Sequence, residues 1–311
     1  MSVQSSAIVP SRSALSTLPA GLGWGLLGVT AFSLTLPLTR VALGGLSPLF
    51  IGAGRAVVAG LLAAVVLAAT RQALPRAGQW ARLVVVAVGV VGGFPLLTSY
   101  ALTEVPASHG AVVIALLPAA TAVLAVVRTG ERPVRAFWVF SAAGAAAAIA
   151  FAVAQSGGIS QLHRADLLLF AGVVLCAMGY AEGGLLTREI GSWQTISWAL
   201  VAALPVMAAL TAVSIAQDPP GGSAAQWACF AYLATTSMYL GFFAWYHGLA
   251  IGPMAQVSQV QLVQPVLTIA WAGLLLGEVV TAPTFVGGVA VILCAGVATS
   301  CRARTVRARP S

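Results

Sequence analysis

Long apolar runs alternate with short polar breaks along the whole chain. Ten runs stand out, with approximate limits 22–40, 48–69, 82–101, 107–127, 135–154, 166–187, 193–216, 226–248, 253–275 and 281–300. Each is about as long as the ~20 residues a helix needs to cross the hydrocarbon core of a bilayer. The breaks carry turn or charge signals, among them "LGGLSP", "TRQALPRAGQ", "RTGERPVR", "QSGGISQLHR" and "QDPPGGS". Two breaks, "TEVP" and "AIGP", are so short that the flanking helices must form close hairpins. The pattern predicts an all-α polytopic membrane protein with ten transmembrane helices.

Composition strengthens this reading. Of the 311 residues, 59% are hydrophobic and 7% charged, against roughly 25% charged in soluble domains. The net charge of +8 raises the question of a nucleic-acid partner, but every basic residue is an arginine placed mostly in the breaks. That is the distribution of the positive-inside rule, not of a basic groove, so no nucleic acid is expected. With an even number of spans both termini share one side. That side holds Arg12, Arg71, Arg76, Arg82, Arg128, Arg132, Arg135, Arg188, Arg302, Arg304, Arg307 and Arg309, the other only Arg40 and Arg164. Both termini are therefore expected in the cytoplasm, with the protein in the cytoplasmic (inner) membrane. Residues 1–21 read as a cytoplasmic tail with no cleavable signal core, and 301–311 as an Arg-rich cytoplasmic tail.

Cys176, Cys229, Cys294 and Cys301 fall in or at the end of apolar runs, with no CxxC or Cys/His cluster. They read as packing residues, and neither a metal nor another cofactor is expected. No phosphate-binding loop is seen.

The two halves align without a gap at a shift of 147 residues. Leu102 falls on Leu249, Pro106 on Pro253, Pro118 on Pro265, Thr121 on Thr268, and Gly130-Glu131 on Gly277-Glu278. The expected units are 22–154 and 166–300, joined by a linker at 155–165. Five spans in each half is an odd number, so the halves cross the membrane in opposite directions. Inverted repeats suit alternating access around a central site.

These two "P…P…GE" blocks, Trp24 at the opening of the first span and Arg55 in "GRAVVAGLLAAVVL" resemble the EamA-like members of the drug/metabolite transporter superfamily. The resemblance covers about 22–153 and 166–299. It implies ten helices as two inverted five-helix repeats and a central site lined by helices 1, 3, 4, 6, 8 and 9. It leaves the substrate open. Arg55 matches an arginine common early in that family's second helix, and the aligned position in the second half, near Leu200, lacks it.

Candidate chemistry concentrates in "QVSQVQLVQP", residues 256–265, whose counterpart "HGAVVIALLP" is apolar. Ser258, Gln261, Gln264, Thr268 and Trp271 form one helical stripe. An unpaired amide facing lipid costs roughly 2–7 kcal/mol, so the stripe must face other helices or a solute path. Pro265, like Pro118, frees a carbonyl and permits a kink. Gln261, Gln264, Ser258, Tyr180, Tyr239, Ser33 and Trp271 are the candidate solute-binding residues. Glu182, the one acid inside a span, is a candidate for proton coupling, for binding a substrate amine, or for a structural pair with a nearby cation. Arg55, Glu131 and Glu278 read as structural or gating residues, with attraction of anionic groups a further option for Arg55. His109, His163 and His247 lie at span ends or in a loop.

The expected function is a secondary transporter, an exporter of small metabolites such as amino acids or related compounds. Its partners would be a small-molecule solute, the lipid bilayer and a proton as candidate coupling ion, and it would act as a monomer or homodimer. Two other classes stay in view. A sensor or assembly partner would normally carry a soluble signalling domain. A membrane-embedded enzyme would need paired acids, a metal cluster or a nucleophile with its base.

Overall fold

The computed structural model describes residues 13–130, 132–155 and 164–277, together with 289–290, 293–294, 296–297 and 303–304. The hydrocarbon offers no water to backbone groups, so the chain satisfies them internally as helix. We label the helices α1 (Leu18–Ala42), α2 (Phe50–Ala69), α3 (Ala77–Glu104), α4 (Ala107–Ile114), α5 (Leu117–Thr129), α6 (Arg135–Gln155), α7 (Arg164–Ile190), α8 (Ser192–Gln217), α9 (224–251) and α10 (Met254–Leu276). Six of them, α1, α2, α3, α7, α8 and α10, are long and apolar enough to cross a bilayer. Among the described residues, the strand structure is a two-residue pairing of Arg132–Pro133 with Ala303–Arg304. The apolar run at 281–300 lies largely outside the described residues, as do Glu131, His163 and Glu278.

The two short breaks are tight, as expected. Helix α3 ends at Glu104 and α4 begins at Ala107; α9 ends at Ile251 and α10 begins at Met254. The run 107–127 is divided between α4 and α5, with Pro118 in the first turn of α5. Helix α10 is irregular at the matching place: a tighter 3-10 stretch, Gln259–Leu262, precedes Pro265. Both α5 and α10 end on a glycine in the left-handed region, Gly130 at φ 68° and Gly277 at φ 69°. A side chain there would meet its own backbone, so glycine is the ordinary C-terminal cap. The start of α10 packs on α5 and the rest of α10 on α4. The α4–α5 segment and α10 therefore run antiparallel, crossing near their prolines.

Three helices contain π-helical turns: Phe50–Gly54 in α2, Ala87–Gly93 in α3 and Leu233–Leu240 in α9. An extra residue in a turn rotates the side chains that follow, and such turns often mark functional sites. Helix α3 also approaches α7 closely. A Cβ at Gly89 would stand 3.1 Å from the Cα of Gly179, so a side chain there would force the helices apart.

The buried core draws on all ten labelled helices, with Trp245 and Tyr246 fully enclosed. Leu27, Leu61, Val65, Val88 and Leu274 project outward, which suits a lipid solvent. The chain is a multi-pass membrane protein. One end of the bundle gathers Arg82, Arg128 and Arg188 with the Arg132–Arg304 pairing. Gly21 of α1 packs against Gly248 and Gly252 near the same end. The opposite end carries an apolar cluster of Ala42, Leu46, Phe50, Ile51, Phe230 and Leu233.

Candidate functional site

A small cavity of about 30 Å3 lies inside the bundle between α1, α2, α3, α4, α5, α7, α9 and α10. The irregular helices deliver its walls. Arg55 follows directly on the π turn of α2, Val90 lies within that of α3, and Ser237 and Met238 lie within that of α9. Thr35 and Phe32 come from α1, Phe94 from α3, Tyr180 and Cys176 from α7, Phe242 from α9 and Gln264 from α10. The lining is mostly apolar and aromatic with a few convergent polar groups, as in small-molecule sites generally. Thr35 and Ser237 share a hydrogen bond at 2.7 Å. Gln264 is 6% exposed and makes no hydrogen bond among the described residues.

Arg55 is 1% exposed, and its Nε and Nη2 are buried without a hydrogen-bond partner. Sequence reasoning placed Arg55 among the structural or gating residues. Its side chain lines the cavity and holds no ion pair among the described residues.

The predicted stripe on α10 divides. Of its members only Gln264 reaches the cavity. Pro37 cannot donate to the Ser33 carbonyl four residues back, and Thr268 Oγ1 donates to that carbonyl at 2.9 Å. Trp271 Nε1 donates to Ser33 Oγ at 3.0 Å. Ser33, Thr268 and Trp271 thus join α1 to α10. Ser258 Oγ donates to the Ala255 carbonyl within its own helix. Gln261 lies beside Tyr180, yet neither end of its amide completes a hydrogen bond. Gln259 bridges two elements: its Nε2 donates to the Pro118 carbonyl at 3.4 Å, and its Oε1 accepts from Ser141 at 2.8 Å. Tyr239 is bonded to Ser197 at 2.9 Å rather than aimed at the cavity. Tyr180 does line the cavity, its ring tilted by 56° against Trp245 with centroids 5.2 Å apart.

Glu182 stands at the arginine-rich end. Its Oε2 accepts from Arg82 Nε at 2.9 Å, and its Oε1 accepts from Arg128 Nε. Arg82 also reaches Glu189 through Nη1, and Gln79 Nε2 donates to Glu189 at 3.1 Å. The cluster ties α3 and α5 to α7. Arg188 donates to the carbonyls of Ala250 and Gly252, capping the C-terminus of α9. At the other end His109 Nε2 meets Asp166 Oδ1 at 2.6 Å.

Sequence reasoning missed Thr35, Phe32 and Phe94 as cavity residues, and Arg82 and Arg128 as partners of Glu182. The second miss had a signal. Glu182 lies six residues before Arg188, so it belongs to the end where the arginines collect.

A model of the EamA-like transporter family matches residues 19–153 and again residues 163–300. The chain is 44% identical over 278 residues to the "Uncharacterized transporter YdeK" of Bacillus subtilis, covering 89% of this chain and 96% of that protein. It is 28% identical over 273 residues to the "Probable terminal-alkyne amino-acid exporter" of Streptantibioticus cattleyicolor, covering 85% and 89%. A solved structure titled "Crystal structure of protein" has the same fold, with a TM-score of 0.73 at 18% identity over 91% of this chain and 97% of that one. With the family matched along both halves and a close relative named as a transporter, the chain belongs to the EamA-like transporter family of the drug/metabolite transporter superfamily.

Proposed function

We propose that this protein is a secondary transporter that exports small metabolites, amino acids or related compounds, across the cytoplasmic membrane. In this reading ten spans form two inverted five-helix repeats, both termini are cytoplasmic, and the repeats exchange conformations by alternating access. The observation that carries it is the cavity within the bundle, lined by Arg55, Thr35, Ser237, Gln264 and Tyr180 and walled by Phe32, Phe94 and Phe242. The antiparallel crossing of α4–α5 with α10 and the paired Gly130 and Gly277 caps support the inverted arrangement. The name of the relative from Streptantibioticus cattleyicolor supports an amino-acid-like solute.

Gln264 and Tyr180 contact the solute, while Ser33, Tyr239 and Trp271 hold the helices that frame it and Ser258 bonds within its own helix. Glu182, clamped between Arg82 and Arg128, closes the cytoplasmic end; a proton or a solute amine that competes with those arginines loosens the clamp. Gly130 and Gly277 act as hinges at the ends of α5 and α10.

Purified protein in liposomes tests this. Counterflow of labelled amino acids, amines, sugars and nucleosides is expected to show uptake of one class, with efflux sensitive to a pH gradient. If no solute moves in such a screen, the reading is wrong.

A further inference from the structure

Among the charged groups the fold buries, Arg55 is handled unlike the rest. Resting on the transporter reading, we infer that Arg55 is the anion-recognising residue of the cavity and that the solute is a monocarboxylate with an apolar body. A guanidinium keeps its charge, and an uncompensated buried charge within a membrane is costly and usually tied to function. Here no acid among the described residues offsets the cost. Glu182 is engaged by Arg82 and Arg128, Glu189 by Arg82 and Gln79, and Asp166 by His109. Glu104 and Asp218, the other described acids, are exposed at helix ends.

The atoms left without a partner point to the ligand. Nε and Nη2 lie on one edge of the guanidinium. That edge presents two parallel N–H donors, which match the two oxygens of a carboxylate. A single cation neutralises one negative charge, so a carboxylate fits better than a phosphate dianion, whose second charge would stay buried and unpaired. The lining also carries Phe32, Phe94 and Phe242, which suit an apolar body. No acid lines the cavity among the described residues. A solute amine therefore finds only neutral acceptors there, such as Thr35 and Gln264, and does not dominate recognition.

The test separates the two charges of an amino acid. Leucine and phenylalanine carry both. The deaminated acids 4-methylpentanoate and 3-phenylpropanoate keep only the carboxylate, and leucinamide and phenylalaninamide keep only the amine. Thermal shift of the purified full chain reads binding without requiring transport. The wild type is expected to be stabilised by amino acids and deaminated acids, but not by the amides or inorganic phosphate. Arg55→Met is expected to bind the acids about thirtyfold more weakly or worse. Its solute-free Tm should match or exceed that of the wild type, because a buried unpaired charge has gone; a purely structural arginine would lower it.

Should Arg55→Met fail to fold, Arg55→Lys keeps the charge but lacks the two-donor edge, and is expected to lose most of the acid-over-amide preference. The inference is overturned if no carboxylate stabilises the wild type, if amides stabilise it as well as acids do, or if a folded Arg55 variant keeps the preference. Counterflow in liposomes separates the two readings. Carboxylate binding without transport in any assay upholds Arg55 and sinks the transporter. Transport of amides equal to that of acids upholds the transporter and sinks the role of Arg55.

Discussion

Glu182 and Arg55 are both charged side chains withdrawn into the helical bundle, and the fold treats them in opposite ways. Glu182 is held by two arginines from two other helices. Arg55 leaves one whole edge of its guanidinium without a partner among the described residues. A paired charge ties elements together, and breaking the pair costs stability. An unpaired charge does little for the resting fold, and its value lies in what it binds. Within one molecule the contrast separates a clamp from a binding residue.

The largest effect should come from breaking the clamp. Glu182→Gln leaves Arg82 and Arg128 facing a neutral group. The expected loss is about 2–3 kcal/mol, below the ~3–5 kcal/mol of a fully buried pair, because Arg82 and Arg128 are 26% and 48% exposed. Thermal unfolding in detergent measures it, and a loss under about 0.5 kcal/mol, the range of exposed ion pairs, would remove the clamp from the comparison.

The two arginines should differ. Arg82 serves both Glu182 and Glu189, whereas Arg128 serves Glu182. Arg82→Gln is expected to cost about 1–2 kcal/mol and Arg128→Gln about 0.5–1 kcal/mol, both shrinking as salt rises. A double-mutant cycle with Glu182→Gln should show strong non-additivity. Additive losses would mean that the ion pairs carry no energy.

On the cavity side, Gln264→Leu should leave the fold standing while weakening solute binding about fivefold to tenfold, one lost hydrogen bond of about 1–1.4 kcal/mol. Unchanged affinity in the folded variant would take Gln264 out of the site. The smallest effect belongs to Glu189→Gln. Glu189 is 43% exposed, so the loss should stay below about 1 kcal/mol. A larger one would shift the weight of the clamp from Glu182 to the rim.

Much of the fold was legible because the bilayer restricts the options. Apolar runs of spanning length become helices, and "TEVP" and "AIGP" leave no room for anything but hairpins. The Gly-Glu repeat marked both helix C-termini because only glycine enters the left-handed region without penalty. The site was less legible. The polar stripe on α10 was visible from its spacing, but the 3-10 stretch at Gln259–Leu262 and the bonds to Ser33 send its members to different places. Spacing assigns residues to a helix face; it does not say which neighbour that face meets.

The sequence by itself determined membrane residence, helical class, the hairpins and the end at which arginines collect. All of these follow from local composition and from the solvent, which each segment meets on its own terms. Only the tertiary structure decided that Glu182 belongs to Arg82 and Arg128, that Thr35 meets Ser237 across 202 positions of chain, and that Arg55 lines a cavity with two donors unpaired. Those facts depend on π turns that rotate side chains after Phe50–Gly54, Ala87–Gly93 and Leu233–Leu240, and on helices brought together from both halves. Partnership between distant side chains is a property of packing, and no single segment carries it.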